Sequence, residues 1–185
     1  GAFDGIILTL APADRGELSR LALPEGLLLA DGGETRQESV ANGLALVPPE
    51  ARIVAVHDAA RPFVTRELIE RAILSAREYG SGVAATPLRD TVKWVDERGV
   101  AVKTLDRNSL CAVQTPQAFC VGELREAYRR ASEEGFAGTD DASLATAFAV
   151  AKKLRKTAVL VKDAPAFVVN RVLTRFMGEI QNVID

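Results

Sequence analysis

No stretch of this chain approaches the roughly 18 to 20 consecutive apolar residues that a membrane-spanning helix requires. No charged, then apolar, then small-residue leader opens it, which predicts no secretion signal and a cytoplasmic protein. Histidine occurs once, as His57, and cysteine twice, as Cys111 and Cys120. One imidazole cannot build a metal cluster, and cysteines nine residues apart match no metal or redox spacing, which leaves two reduced thiols. Neither sign of charge dominates: 23 basic and 25 acidic side chains are interspersed, for a net charge of −2. That balance argues against a nucleic-acid or polybasic membrane surface. The familiar phosphate loops are missing too, since there is no G-x-x-x-x-G-K-S/T and no G-x-G-x-x-G. The nearest approach, Gly80-Ser81-Gly82, joins a helix to a strand, the wrong context for phosphate.

What is present is an alternation. The 185 residues, 48% hydrophobic, suit one domain with at most a short appendage, and they can bury a core without a disulfide or metal. Apolar runs bounded by turn residues predict strands at Gly5–Leu10, Gly26–Ala30, Arg52–His57, Gly82–Thr86 and Cys111–Gln114. Helical periods fall between them: a weak one at Asp14–Leu23, then Thr35–Val47, Thr65–Tyr79 ending at Gly80, and Val121–Glu134 ending at Gly135. Such alternation implies an α/β fold of three layers, with parallel strands and helices on both faces. Asp90–Leu105 breaks the pattern and reads as a hairpin around Asp96-Glu97-Arg98-Gly99. The pattern alone leaves open whether it projects as an arm, with Trp94 and its valines on a partner, or folds back on its own domain. From about Thr139 to Lys156 the chain reads as helix, followed by a strand at Thr157–Lys162 and a last helix at about Phe167–Ile184.

Two segments carry most of the chemistry. In Val54–Phe63 (VAVHDAARPF) a strand ends in Asp58 and Arg61 follows before the next helix. Ligands of open α/β sheets gather at the carboxyl ends of strands. A carboxylate there can hold Mg²⁺ or a ribose hydroxyl, and an arginine can grip phosphate. The plain alternative is an Asp58–Arg61 ion pair that fixes the loop, with His57 structural; Thr65 is the better cap for the following helix. In Asp31–Leu44 (DGGETRQESVANGL), Gly32 and Gly33 lead into a helix whose Thr35 and Glu38 form a capping box. The box accounts for those two residues, but not for the paired glycines or Ser39. Weaker polar segments sit at element boundaries: Arg89–Lys93 (RDTVK), Asp106–Leu110 (DRNSL), Gln114–Phe119 (QTPQAF) and Thr139–Leu144 (TDDASL), where Thr139 or Asp140 is also an ordinary helix cap.

In this order, GGETRQESVANGL, HDAARPFV, PLRDTVK, DRNSLCAVQTPQAF and TDDASL closely resemble the 2-C-methyl-D-erythritol 4-phosphate cytidylyltransferases of non-mevalonate isoprenoid synthesis, over about residues 3–148. The resemblance implies a Rossmann-like domain whose β-arm, about residues 88–110, clasps the partner of a homodimer. It implies a transferase that joins CTP to 2-C-methyl-D-erythritol 4-phosphate with Mg²⁺ and releases pyrophosphate. Carried over by motif, nucleotide binding falls on Gly32, Gly33, Ser39 and Ala59. Catalysis and metal fall on Asp58, with Arg61 adjacent. Acceptor binding falls on Thr91, on Arg107 reaching across the dimer, on Thr115 and on Thr139. The chemistry implied is in-line attack of a phosphate oxygen on the α-phosphorus, governed by positioning and charge stabilisation.

Two features depart from that family. Its first strand and Gly-rich loop, and its Asn-x-Lys-Ile-Thr segment, have no match, which implies impaired turnover and a break at the centre of the sheet. The strand Thr157–Lys162 would occupy either the family's final-strand position, with Lys162 near the nucleotide in partial replacement of the lost lysine, or the vacated central slot. Residues 149–185 form a helix-strand-helix tail that instead resembles a 3-hydroxyacyl-CoA dehydrogenase junction, through DAPAFVVNR and Asn170, although that family's His–Glu pair and NAD loop have no counterpart. The alternatives are therefore a catalytically dead dimeric binding domain and, lowest, a dehydrogenase fragment.

Overall fold

The computed structural model describes residues 3–147 and 157–160. Its strands are β1 (Ile7–Leu10), β2 (Leu28–Asp31), β3 (Ile53–Val56), β4 (Ser81–Pro87), β5 (Lys93–Val95), β6 (Ala101–Thr104), β7 (Cys111–Cys120) and β8 (Thr157–Leu160). Its α-helices are α1 (Arg36–Ala45), α2 (Arg66–Tyr79), α3 (Val121–Glu134) and α4 (Asp141–Ala147). The weak helical period near Asp14 is a 3₁₀ helix, Pro12–Arg20, with no buried residue. Helix ends follow local chemistry. Thr35 and Thr65 cap α1 and α2 by accepting amides of Glu38 and Leu68. Gly80 and Gly135 close α2 and α3 in the left-handed region, which costs glycine little.

The main sheet runs β3-β7-β4-β8, and β1 and β2 form a separate parallel ladder. Alternation along the strands separates two apolar layers. Ala118 of β7, with Ile53 and Ala55 of β3, meets Ala72 and Ala76 of α2. Phe119, Val83, Val54 and Val56 point the other way, into a larger core with Leu44 of α1, Leu124 and Tyr128 of α3 and Leu144 of α4. α2 approaches very closely at Gly82, where a Cβ would lie 2.1 Å from the carbonyl oxygen of Ala72.

The three-layer Rossmann-like architecture is as expected, but one strand departs from the parallel rule. β7 runs antiparallel to both β3 and β4. A parallel return needs a crossover, usually a helix. Between β4 and β7 the chain has the β5–β6 hairpin and a single 3₁₀ turn, Arg107–Ser109, but no crossover α-helix, so it comes back in the opposite sense. β7 also extends through Cys120, well beyond the four residues expected of it. Pro116 argues locally against a central strand. The β4–β7 register shifts between Val83 and Ala85, where β7 carries Gln114, Thr115 and Pro116, and that irregularity accommodates the proline. Cys111 and Cys120 are free thiols at opposite ends of this strand, on the order of 30 Å apart at ordinary strand rise, too far to pair.

Ile7 of β1 packs on the same core as Val54 and Val56 of β3, yet among the described residues no backbone ladder joins the two strands. The break expected in the sheet lies here. β8 pairs in parallel with β4, from Gly82↔Thr157 to Ala85↔Leu160, so it takes the outer-edge position rather than the break. Lys162, the last helix and Asn170 lie outside the described residues.

Candidate active site

The carboxyl end of β3, the start of α1, the middle of β7 and the start of α4 converge on Asp58. Its backbone amide donates to the Thr115 hydroxyl at 3.1 Å. Its Oδ1 accepts from Nε of Arg36 at 3.1 Å, and its Oδ2 faces Nε of Arg61 at 3.4 Å. The Asp58–Arg61 pair anticipated as a loop-fixing contact therefore exists, but it is half of a two-sided clamp. The guanidinium of Arg61 also reaches the Gln114 side chain on β7.

His57 ties the same loop to β7. Its Nε2 lies 3.0 Å from the carbonyl oxygen of Arg61, a contact that requires a proton on that nitrogen, which leaves Nδ1 to accept from the Thr115 hydroxyl at 3.1 Å in the neutral ring. Thr115 is 6% exposed and satisfied from two sides. His57 is thus structural, as its solitary occurrence suggests.

Arg36 is the hinge of the site. It bonds Asp58 through Nε and Asp141 through Nη2, the latter at 2.9 Å. Burial works against its charge, but Asp141 and then Asp58 outweigh that, so the guanidinium is held above its ordinary value. The Tyr128 phenol donates to the other oxygen of Asp141. Burial first, and the adjacent carboxylate second, push that phenol far above its ordinary range. Gln37, next to Arg36, grips the loop before α4: its amide nitrogen donates to the Phe136 carbonyl and its oxygen accepts from the Gly138 amide. Gln117 of β7 binds the same loop through Asp140 and the amide of Ala142. Asp140, not Thr139, caps α4, accepting the Ser143 amide at 2.7 Å. Thr139 stays exposed, its hydroxyl 3.2 Å from that of Ser143.

At the start of α1 the capping box forms, with Glu38 accepting from the amides of Glu34 and Thr35. The adjoining glycines have a packing reason of their own. A Cβ on Gly33 would stand 2.2 Å from that of Glu38, and one on Gly32 would stand 3.2 Å from the Leu10 backbone. Ser39 accepts from the Gly33 amide and donates to the Thr35 carbonyl. Ala59 is exposed in the loop after Asp58. Thr91 and Arg107 stand elsewhere, exposed at the base of the hairpin, where the Arg107 guanidinium donates to the Arg89 carbonyl at 2.6 Å. On the hairpin, Trp94, Val95, Val100 and Val102 are all more than half exposed.

Arg36, Gln37, Gln117, Tyr128 and Asp141 are site residues that sequence reasoning passed over. Arg36 was available as the cation inside the capping box, and Asp141 as the second acid of TDD. Nothing local reveals that they meet.

Among the described residues no three His, Cys, Asp or Glu side chains could jointly hold a metal ion. The carboxylates of Asp58 and Asp140 already serve donors on both oxygens. Among the described residues no ready-made cation site exists, so a Mg²⁺ ion would have to be carried mainly by a ligand's own phosphate oxygens. No helix among the described residues is long and apolar enough to cross a membrane.

The chain matches the 2-C-methyl-D-erythritol 4-phosphate cytidylyltransferase family over residues 1–160. A Bacillus pumilus enzyme of that name is 46% identical over 143 residues, 75% of this chain and 62% of its own length. The crystal structure of 4-diphosphocytidyl-2C-methyl-D-erythritol synthase from Anaerococcus prevotii superposes with a TM-score of 0.81 at 27% identity, covering 90% of this chain and 76% of that one. The Thermus thermophilus cytidylyltransferase gives 0.68 at 32% identity, covering 88% and 73%. The chain spans about half to three-fifths of the length of the curated relatives it matches. The match continues past residue 148 through β8, whose place in the main sheet gives that strand to the same domain, and the dehydrogenase-like reading of the tail finds no support. With the family match over residues 1–160, the 46% identity to a relative and the shared fold in agreement, the chain belongs to the 2-C-methyl-D-erythritol 4-phosphate cytidylyltransferase family.

Proposed function

We propose that this chain forms the site at which CMP passes from CTP to 2-C-methyl-D-erythritol 4-phosphate, with release of pyrophosphate. The observation that carries this reading is Asp58, fixed at the end of β3 between Arg36 and Arg61. A carboxylate so held accepts ribose hydroxyls in one orientation, and the arginines beside it favour phosphate. The bond that forms joins an acceptor phosphate oxygen to the α-phosphorus, and the bond that breaks frees pyrophosphate in line with it. The protein contributes placement and fixed positive charge, which is most of what phosphoryl transfer asks. A Mg²⁺ ion bound with the triphosphate would shield its charge, and Asp58 is the residue that would face it.

The start of α1, with Gly32, Gly33 and Ser39, supports the cytidine side, and Ala59 leaves room next to the ribose. Thr139, exposed before α4, supports the acceptor phosphate. Thr115 shapes this side by holding Asp58, while Thr91 serves the acceptor and Arg107 reaches an acceptor bound across a homodimer. The dimer reading rests on the arm, whose exposed Trp94 and valines need a second surface. A cytoplasmic location suits this chemistry and its substrates.

Calorimetry with CTP and Mg²⁺, then with 2-C-methyl-D-erythritol 4-phosphate, tests the reading, with pyrophosphate release as the activity readout. Binding of both that Asp58→Asn weakens is the expected result. A chain that binds neither rules the proposal out.

A further inference from the structure

Asp141 is fully buried at the start of α4, yet it does not cap that helix, because Asp140 does. An isolated buried carboxylate is costly, and even a paired one gives little net stability over an apolar side chain. Its two oxygens instead serve two donors. Tyr128, packed in the core, donates to one, and Nη2 of Arg36 donates to the other. Tyr128 is placed by core packing, so it fixes Asp141, and Asp141 fixes one edge of the Arg36 guanidinium. The group is planar and rigid. With Nη2 held and the stem anchored on α1, the swing of Nε is narrowed, and it donates to Oδ1 of Asp58.

We infer that Asp141 is a positioning residue which, through Arg36, sets the orientation in which the Asp58 carboxylate meets the nucleotide. The inference rests on the cytidylyl-transfer reading above.

The test uses the full chain in two measurements. In the ligand-free protein, the Arg36 Nε–H resonance, assigned by its loss in Arg36→Lys, reports its bond to Asp58. Asp58→Asn must move it, and Asp141→Asn and Tyr128→Phe are expected to move it as well. An unchanged signal in Asp141→Asn overturns the inference. In the second measurement, Asp141→Asn is expected to weaken binding of CTP with Mg²⁺ by about tenfold in the parent chain but less than about twofold in Asp58→Asn, the non-additivity of residues acting in series. Equal losses in both backgrounds make Asp141 merely structural and overturn the inference. If Asp141→Asn does not fold, Tyr128→Phe, which keeps the ring volume, gives the same two readouts. A parent chain that binds no CTP fails the cytidylyl-transfer reading, and the Arg36 resonance still decides whether Asp141 governs Asp58.

Discussion

The amide of Asp58 donates to the hydroxyl of Thr115 across 57 residues of sequence, at 3.1 Å. That one bond joins the loop after β3 to the centre of β7, and the same hydroxyl contacts Nδ1 of His57. Replacing Thr115 with valine keeps the shape and removes both contacts. Stranding a fully buried donor or acceptor costs about 1 to 3 kcal/mol, which is the upper bound for each of these half-buried partners. Urea denaturation of Thr115→Val is therefore expected to show that loss of stability, with weakened CTP binding. A variant as stable as the parent contradicts the role given to this hydroxyl.

Gly33→Ala is expected to damage the start of α1. Its Cβ would collide with Glu38, whose carboxylate holds the amides of Glu34 and Thr35. Overpacking of this kind costs roughly 1 to 3 kcal/mol. Thermal melting followed by helical circular dichroism measures it, and an unchanged midpoint would show that the box tolerates the methyl group.

Arg107→Ala should leave the fold intact, since its guanidinium binds only an exposed carbonyl among the described contacts. Loss of a charge-assisted phosphate contact is expected to weaken binding of 2-C-methyl-D-erythritol 4-phosphate by about 1.5 to 3 kcal/mol. Calorimetry showing the parent affinity would remove Arg107 from the acceptor site.

Trp94→Glu places a charge on the exposed face of β5. If the arm holds a dimer, the variant elutes as a monomer or becomes insoluble on size-exclusion chromatography with light scattering. A soluble variant with an unchanged dimer mass counts against the arm.

The turn of the arm carries its own pH dependence. Hydrogen bonding from the Val100 amide first, then from Arg98, holds the Asp96 carboxyl below its ordinary value of 3.8. A carboxyl depressed in the folded state adds stability that is fully present above its unfolded value and is lost as pH falls through the folded one. The Val100 and Arg98 amides are thus expected to keep exchange protection down to pH 3.8 and to lose it as pH falls further, through the carboxyl's lower folded value, and Asp96→Asn should reduce their protection at pH 7 as well. Equal protection at pH 7 in Asp96→Asn and in the parent would refute this account.

Much of this molecule is written locally. The helix starts at Thr35 and Thr65, the stops at Gly80 and Gly135, the hairpin turn and the place of Asp58 at a strand's end all follow from side-chain hydrogen bonds, φ freedom and apolar period within a few residues. The ordered motifs carried the family resemblance for the same reason, because residue types at short spacing survive in the sequence as such.

Tertiary structure decided the rest. The direction of β7 depends on the hairpin that replaces a crossover, and its passage through Pro116 depends on an irregularity shared with β4. The paired glycines, which the capping box leaves unexplained, have a packing reason in Glu38 and the Leu10 backbone that spacing in the sequence does not reveal. Arg36 meets Asp58 from 22 residues away and Asp141 from 105. Charges that far apart in the chain have no pattern linking them. Only the packing of α1 and α4 onto one core puts the guanidinium between its two carboxylates.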